Sequence, residues 1–235
     1  MSLPAHSKIA LIKKIYILAI KSEGIMLSFR EQFFTADDVI KKIDATRRTL
    51  PYSHRYVNVG FIGPNNPEYF SSEMQDICLA LGKRLTKERV MFISRPWSCS
   101  GRVISQSFGA KQINRELNFL LICDKVNRVK KRFDWWGDSM IVGESLEDCQ
   151  ETLLKVANIY IKMGYDDETT EVANKAFERG ASIIPIPRGE TTPHDEKFFK
   201  KLPLTISQKN ILTNKRSSPK DISRTVIQLV KKLKM

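Results

Sequence analysis

Residues 158–187 constrain the fold of this chain more than any other stretch. An apolar run, Ile159–Ile161, is followed by Gly164 and by an acidic turn rich in hydroxyl groups. A helical segment then extends to Gly180, and a second β-type run follows at Ile183–Ile186. This order of strand, loop, helix and strand is typical of a parallel sheet, in which ligands bind outside the carboxyl ends of the strands. The loop after the first strand is therefore where we expect chemistry.

A second unit of the same kind lies earlier in the chain. A largely apolar strand at 56–64 ends in a glycine and a turn, a helix follows from Ser71, and a buried strand follows at 89–94. Two further strands are predicted at 117–123 and 140–143. The glycine fingerprint GxGxxG of dinucleotide-binding folds is absent,. The sequence predicts an α/β, Rossmann-like three-layer fold with a mainly parallel sheet.

The loop at 95–102 is rich in small residues and leads into a helix predicted over 103–112. The free N–H groups at the start of such a helix form a ready anion site, and Arg102 would add a charged donor to a phosphate. An ordinary turn with an arginine facing solvent explains the same residues. Both interpretations stay open.

The first 54 residues are predicted to be a helical extension of a main domain at 55–235. Within them, a helix should begin after Thr35, which caps it together with Asp38, and end near Arg48,. The extension is either a strut packed on the main domain or an oligomerisation arm, and the sequence does not separate the two. We expect a homo-oligomer.

The net charge of +13 is concentrated at the two ends of the chain. Residues 197–235 carry 11 lysines and arginines against one acid, whereas residues 59–196 carry 18 basic and 20 acidic residues. A basic run at 125–132 borders aromatic residues. Basic flanks attract nucleic acid, but solvated basic surface is the favoured interpretation over specific nucleic-acid binding.

The four cysteines are isolated and form no CxxC pair, so the sequence predicts free thiols and no metal site,. Nothing in it points to a bound cofactor. No segment offers eighteen uncharged apolar residues, so we expect no membrane span and no membrane partner,. The apolar run at 9–20 contains two lysines and lacks a clear cleavage site, which argues against a signal peptide,. A cytoplasmic protein is expected.

Several segments resemble the superfamily that joins the DNA-processing protein DprA with the LOG-type cytokinin-activating proteins, known as SLOG. The stretch 59–85 resembles its first strand, loop and helix, including the pair Leu81-Gly82. Residues 100–102 match its glycine-containing turn after the second strand. Residues 161–186 resemble its later strand, loop, glutamate-bearing helix and strand. The resemblance covers roughly residues 55–235 and implies a nucleotide-binding domain.

Enzymes of the LOG type hydrolyse the N-glycosidic bond of a nucleoside monophosphate, using glycine-rich loops for the phosphate and a catalytic glutamate. By this resemblance Glu171 would be catalytic and Arg102 would lie near the phosphate. The resemblance implies further ligand-binding residues in the same loops: Gly63, Pro64, Asn65, Gly101, Gly164, Asp166, Asp167, Thr169 and Thr170.

Nucleoside 2-deoxyribosyltransferases are similar over the same loops. Their first strand ends in Ala-Gly-Pro, compared here with Ile62-Gly63-Pro64, and a later acidic loop carries a threonine and a catalytic glutamate. Asp166, Asp167 and Glu171 suit an uncharged sugar better than a phosphate, because carboxylates accept hydrogen bonds from ribose hydroxyl groups.

Three functions remain open from the sequence. The chain is a sensor that binds a nucleotide or nucleoside, an N-glycosidase or glycosyl-transfer enzyme that uses Glu171, or a nucleic-acid-associated protein that uses its basic flanks. Glu171 is also explained as an ordinary acid that favours the helix dipole. The partner expected first is a nucleotide or nucleoside.

Overall fold

The computed structural model describes residues 33–96, 98–110, 115–123, 137–187 and 191–234. The described residues belong to one compact unit that begins at Phe33. The first helix of the predicted extension and the basic run 125–132 lie outside the described ranges.

The described part contains one sheet of six parallel strands in the order β4-β3-β2-β1-β5-β6. The strands are β1 (Val57–Ile62), β2 (Val90–Ser94), β3 (Asn118–Ile122), β4 (Asp138–Ile141), β5 (Ile159–Met163) and β6 (Ser182–Ile186). The predicted α/β, Rossmann-like fold with a parallel sheet is thereby confirmed.

One described helix precedes the first strand, and the others follow strands as crossovers or close the domain after the last strand. They are α1 (Ala36–Arg48), α2 (Ser72–Leu85), α3 (Cys99–Phe108), α4 (Leu146–Val156), α5 (Asp167–Glu178), α6 (Pro193–Phe199), α7 (Ile206–Thr213) and α8 (Pro219–Leu233). Two short 3₁₀ helices, Ser53–Arg55 and Pro67–Tyr69, precede β1 and α2. The sequence did not predict α6 and α7.

The sheet is covered on both faces, which explains its apolar strands. Every residue of β2, β3 and β5 is buried, as expected for parallel strands between two helical layers. On one face, Cys78 of α2 contacts Met163 of β5, with 3.7 Å between the sulfur atoms. On the opposite face, the Tyr160 hydroxyl donates to the carbonyl oxygen of Leu153 in α4 at 2.6 Å. Helix α8 packs on α2, and α5 packs on α4.

Local sequence signals set most helix starts. Thr35 and Asp38 form the predicted capping box of α1, which ends at Arg48 as expected. Ser218 caps α8 with a proline at its first position, also as predicted. Helix α3 is different, because it begins at Cys99 and not at the predicted Val103. The Ser98 hydroxyl accepts from the N–H of Gly101 at 2.9 Å, so the small residues that suggest a loop form the first helical turn,.

Asp148 in the first turn of α4 should make stability depend on pH. Backbone N–H groups of Ser145 and Glu144 donate to its Oδ2 at 3.0 Å, and the bond from Ser145 lowers the pKa of Asp148. A carboxyl with a depressed folded pKa contributes stability that is present above its unfolded pKa and lost as the pH falls through the folded one. We expect Asp148→Ala to lower the free energy of unfolding by about 1 kcal/mol near neutral pH.

This difference should shrink below about pH 4, where the unfolded carboxyl becomes protonated. Urea unfolding of both proteins at about pH 7 and about pH 3 measures it. An equal difference at the two pH values would contradict the assigned role of the charge.

Candidate functional site

The carboxyl ends of β1 and β5 meet at the point where the chain order of the strands reverses. β1 lies in the middle of the sheet, with β2 on one side and β5 on the other. In open α/β sheets this reversal leaves a crevice in which ligands bind. A cleft of about 390 Å³ lies there, lined by Asn65, Asn66, Tyr69, Tyr165, Asp166, Asp167 and Glu168. It joins the loop after β1 to the start of α5.

The loop after β1 is held against the start of α3. The Ser100 hydroxyl donates to the carbonyl oxygen of Pro64 at 3.3 Å, and the Cys99 thiol lies 3.5 Å from the carbonyl oxygen of Asn65. A methyl group at Gly63 would clash with Ser100 Oγ. The glycine and proline predicted as ligand contacts therefore have a packing role, which places Asn65 at the cleft.

Gly101 is enclosed in the same way. An added methyl group would clash with the carbonyl oxygen of Arg95 and with Ser98 Oγ. Arg102, predicted as a phosphate contact, directly follows Gly101 on α3, is exposed, and is not among the described residues that line the cleft. Close packing around Gly101 therefore shapes this side of the site, whereas Arg102 does not place a positive charge in the cleft.

Arg95 is a charged group of the site that sequence reasoning missed. It follows β2 directly and is only 3% exposed. One of its terminal nitrogens lies 4.0 Å from Glu168 Oε1 and 3.4 Å from Gln150 Oε1. Burial lowers the pKa of Arg95, and the nearby Glu168 carboxylate counteracts that shift. A buried guanidinium needs such partners. The one available signal was an arginine directly after a buried strand.

Gly164 and Asp166 shape the loop after β5. Gly164 has φ +94°, a conformation that favours glycine, and it brings this loop beside Pro64,. Asp166 is the N-cap of α5, and its Oδ1 accepts from the N–H of Thr169 at 2.9 Å. Thr169 is 2% exposed, so its side chain is not offered to a ligand at the surface.

Three buried oxygens in this region have no hydrogen-bond partner among the described residues: Asn65 Oδ1, Asp166 Oδ2 and Thr170 Oγ1. Buried polar atoms are almost always satisfied by protein, water or a ligand. The amide of Asn65 meanwhile donates from its nitrogen to Glu168 Oε1. Asn65 and Asp166 both line the cleft, so two of these buried acceptors belong to residues at its wall.

Two aromatic rings border these polar atoms. Tyr69 is 46% exposed and Tyr165 is 48% exposed, and both line the cleft. Exposed aromatic rings beside a cleft provide faces for stacking on planar ligands. No sequence signal marked either tyrosine as a site residue.

Glu171, the predicted catalytic residue, lies in the second turn of α5. Its side chain is 65% exposed, and its carboxylate lies 2.7 Å from Lys175 Nζ in an i, i+4 pair. The hydrogen bond from this pair raises the pKa of Lys175. Glu171 is not among the described residues that line the cleft, whereas Glu168, one turn earlier, is. The favourable interaction of Glu171 with the helix dipole is weaker than expected, because that interaction is confined to the first turn of a helix and Glu171 lies in the second.

A buried ion pair lies on β5 behind the cleft loops. Lys162 Nζ is 2.8 Å from Asp195 Oδ1, and both side chains are fully buried. Asp195 Oδ2 accepts from the N–H and the hydroxyl of Thr192 at 3.0 and 2.8 Å. The pair connects β5 to α6. The sequence did not predict it.

The described residues contain no cluster of three or more metal-ligating side chains. None of the described helices is long and apolar enough to cross a membrane. The cysteines are free thiols, three of them buried and Cys99 partly buried.

No protein-family model matches the sequence, and a search of curated proteins finds no match. Solved structures do match. The protein TM1055 aligns with 75% of this chain and 99% of its own, at 16% identity and a TM-score of 0.53. The molybdenum cofactor binding protein of the bacterium Rippkaea orientalis aligns with 77% of this chain and 98% of its own, at 15% identity and a TM-score of 0.53.

The molybdenum cofactor carrier protein of Chlamydomonas reinhardtii is similar as well. It aligns with 75% of this chain and 99% of its own, at 15% identity and a TM-score of 0.51. At these identities the likeness is one of fold. The fold implied by the SLOG resemblance is therefore confirmed, and the described part of this chain shares the architecture of these proteins.

Proposed function

We propose that the cleft between β1 and β5 binds a nucleoside-derived ligand through an uncharged, hydroxyl- or amine-bearing part. The observation that carries the proposal is the set of unpartnered acceptor oxygens on Asn65 and Asp166, bordered by Tyr69 and Tyr165. Acceptors without donors call for a ligand that donates hydrogen bonds. Exposed aromatic rings favour a ligand with a planar group that can stack on them.

The charge of the cleft argues against a phosphate at this position. Asp166, Asp167 and Glu168 all line it, and like charges within a few ångströms repel by about 1–4 kcal/mol at surface dielectric values. Arg95, a buried cation next to the cleft, already has Glu168 and Gln150 as partners. Ribose hydroxyl groups or an exocyclic amine suit these carboxylates better.

The other residues predicted as ligand contacts have structural roles in this proposal. Gly63, Pro64, Gly101 and Gly164 shape the loops, and Thr169 and Thr170 start α5. Arg102 would reach only a part of the ligand that extends beyond the cleft. The solved structures of proteins that bind or carry the molybdenum cofactor support a ligand-binding role for this architecture. The homo-oligomeric state and the cytoplasmic location stay predictions.

Two glutamates on α5 provide a matched test of the binding site. Glu168 and Glu171 are both about half exposed or more, at 52% and 65%, but only Glu168 is among the described residues that line the cleft. We expect Glu168→Gln to weaken binding of the best nucleoside about tenfold, because a charge-assisted hydrogen bond is lost. Glu171→Gln should leave the affinity unchanged. Titration calorimetry of a nucleoside panel measures both, and equal effects of the two substitutions would contradict the assignment.

Hydrolysis of the N-glycosidic bond is the second candidate function. Glu168 favours it, since a carboxylate beside a bound ribose can stabilise the positive charge that develops in the transition state. Release of free base from nucleosides and nucleotides measures this activity. Loss of release in Glu168→Gln, with release retained in Glu171→Gln, would assign the reaction to Glu168. Loss of release in Glu171→Gln alone would assign the reaction to Glu171. Binding of a nucleoside without release of its base would indicate a sensor.

A further inference from the structure

A basic surface lies at the other end of the sheet. Arg55 precedes β1 and Arg89 precedes β2, so both stand at the amino ends of their strands. The cleft described above lies at the carboxyl ends. The two regions are therefore separate, and a role for the basic surface does not rest on the proposed function of the cleft.

Two neighbouring cavities make up this surface. The first, of about 480 Å³, is lined by His54, Arg55, Lys87, Glu88, Arg89 and Lys234. The second, of about 560 Å³, lies between the end of α2 and the start of α8, and it is lined in part by Lys83, Arg84, Lys87 and Lys220. Because Lys87 lines both, the cavities are adjacent. We call the seven lysine and arginine residues of the two cavities the basic face.

No member of the basic face forms an ion pair with a carboxylate of the described residues. Glu88 is the one acid among the described residues that line the cavities; it pairs at 3.0 Å with Lys231, a further cation, and its charge also acts on Lys234. Elsewhere on the described surface, many lysines and arginines have such partners, for example Lys42 with Asp138 and Arg179 with Glu151. Helix stabilisation does not explain Lys220, because a cation in a first turn opposes the helix dipole. Seven clustered cations beside a single acid leave a surplus of positive charge, which attracts an anionic partner,.

Tyr52 gives this surface an exposed aromatic ring. The ring is 61% exposed, and the guanidinium carbons of Arg55 and Arg89 lie 5.4 and 4.9 Å from its centroid. Its backbone has φ +57°, the one positive φ at a non-glycine residue among those described. Such a conformation is costly for a bulky side chain and is often kept at functional positions.

We propose that the basic face binds single-stranded nucleic acid, with Tyr52 stacking on a base and the surrounding cations contacting phosphates. Non-specific binding of single strands uses this combination of a positive groove and an aromatic platform. Two adjacent concave cavities suit a flexible strand, which can follow them, better than a flat membrane surface.

Fluorescence anisotropy with a labelled single-stranded oligonucleotide of roughly 12 nucleotides tests the proposal on the full chain. We expect Arg55→Gln/Arg89→Gln to weaken binding about tenfold or more and to reduce the dependence of affinity on salt. The control Lys200→Gln/Lys201→Gln removes the same charge from exposed positions outside the basic face, and its affinity should stay within about twofold. Equal losses in the two double variants would overturn the assignment, since net charge alone would then explain binding.

Tyr52→Asn separates stacking from charge. Asparagine tolerates a positive φ, so the backbone should be kept while the ring is lost. We expect affinity to fall about tenfold with an unchanged salt dependence, because stacking contributes affinity without neutralising phosphate. Unchanged affinity in this variant, no oligonucleotide binding by the wild type, or binding only to anionic lipid vesicles would each overturn the proposal.

Discussion

We expect Asp195→Asn to lower the free energy of unfolding by about 3–5 kcal/mol, the usual cost of breaking a buried ion pair from one side. Asparagine keeps the size of the side chain, and its one oxygen can still accept from Thr192; its NH2 group would then replace the oxygen that faces Lys162,. Lys162 would then be fully buried without its counter-charge. Urea unfolding followed by circular dichroism measures the loss.

The double variant Lys162→Met/Asp195→Asn is the control for this result. It removes the stranded cation as well, and apolar replacements of buried pairs are often neutral or stabilising. We expect it to recover much of the stability that the single variant loses. A double variant no more stable than Asp195→Asn, or a single variant as stable as the wild type, would contradict the role given to the pair.

Gly101→Ala is expected to damage both the fold and the cleft. Its methyl group would meet the carbonyl oxygen of Arg95 and the Ser98 hydroxyl, and overpacking of this kind costs about 1–3 kcal/mol. The start of α3 would shift, and with it the contact of Ser100 with Pro64. We therefore expect a lower midpoint of urea unfolding and weaker nucleoside binding in the same variant.

Gly180→Ala is the matched control for Gly101→Ala. Gly180 has φ +89°, but an added methyl group meets nothing within 4 Å. Alanine there should cost about 1 kcal/mol through its backbone alone, and ligand binding should not change. If the two variants lose the same stability and both retain binding, close packing around Gly101 does not shape the cleft.

The sequence predicted the parts of this fold that depend on local patterns. Alternation of apolar runs with amphipathic segments located all six described strands. Capping residues such as Thr35 and Ser218 located helix starts, because their side chains act on backbone groups only a few residues away. The acidic loop after β5 was correctly placed at the carboxyl edge of the sheet, since parallel strands with helical crossovers leave such loops at one end.

The features that the sequence did not reveal depend on distant parts of the chain. In the sequence, Lys162 is a charged residue that interrupts an apolar strand. Its partner Asp195 lies on a later helix, and only the folded structure shows the two in contact. The sequence predicted Glu171 and not Glu168, because which of the two lines the cleft depends on the helical phase of α5 relative to the sheet. Arg95 becomes recognisable as a site residue only when Glu168 and Gln150 are seen beside it.

We expect the cleft between β1 and β5 to take the uncharged part of a nucleoside in preference to a phosphate. The most direct test compares the affinities of the wild-type protein for nucleosides and for their 5′-monophosphates by titration calorimetry at one salt concentration. Repulsion by the carboxylates of the cleft predicts that the nucleoside binds more tightly, on the order of tenfold. A monophosphate that binds as tightly as its nucleoside, or more tightly, would contradict the claim.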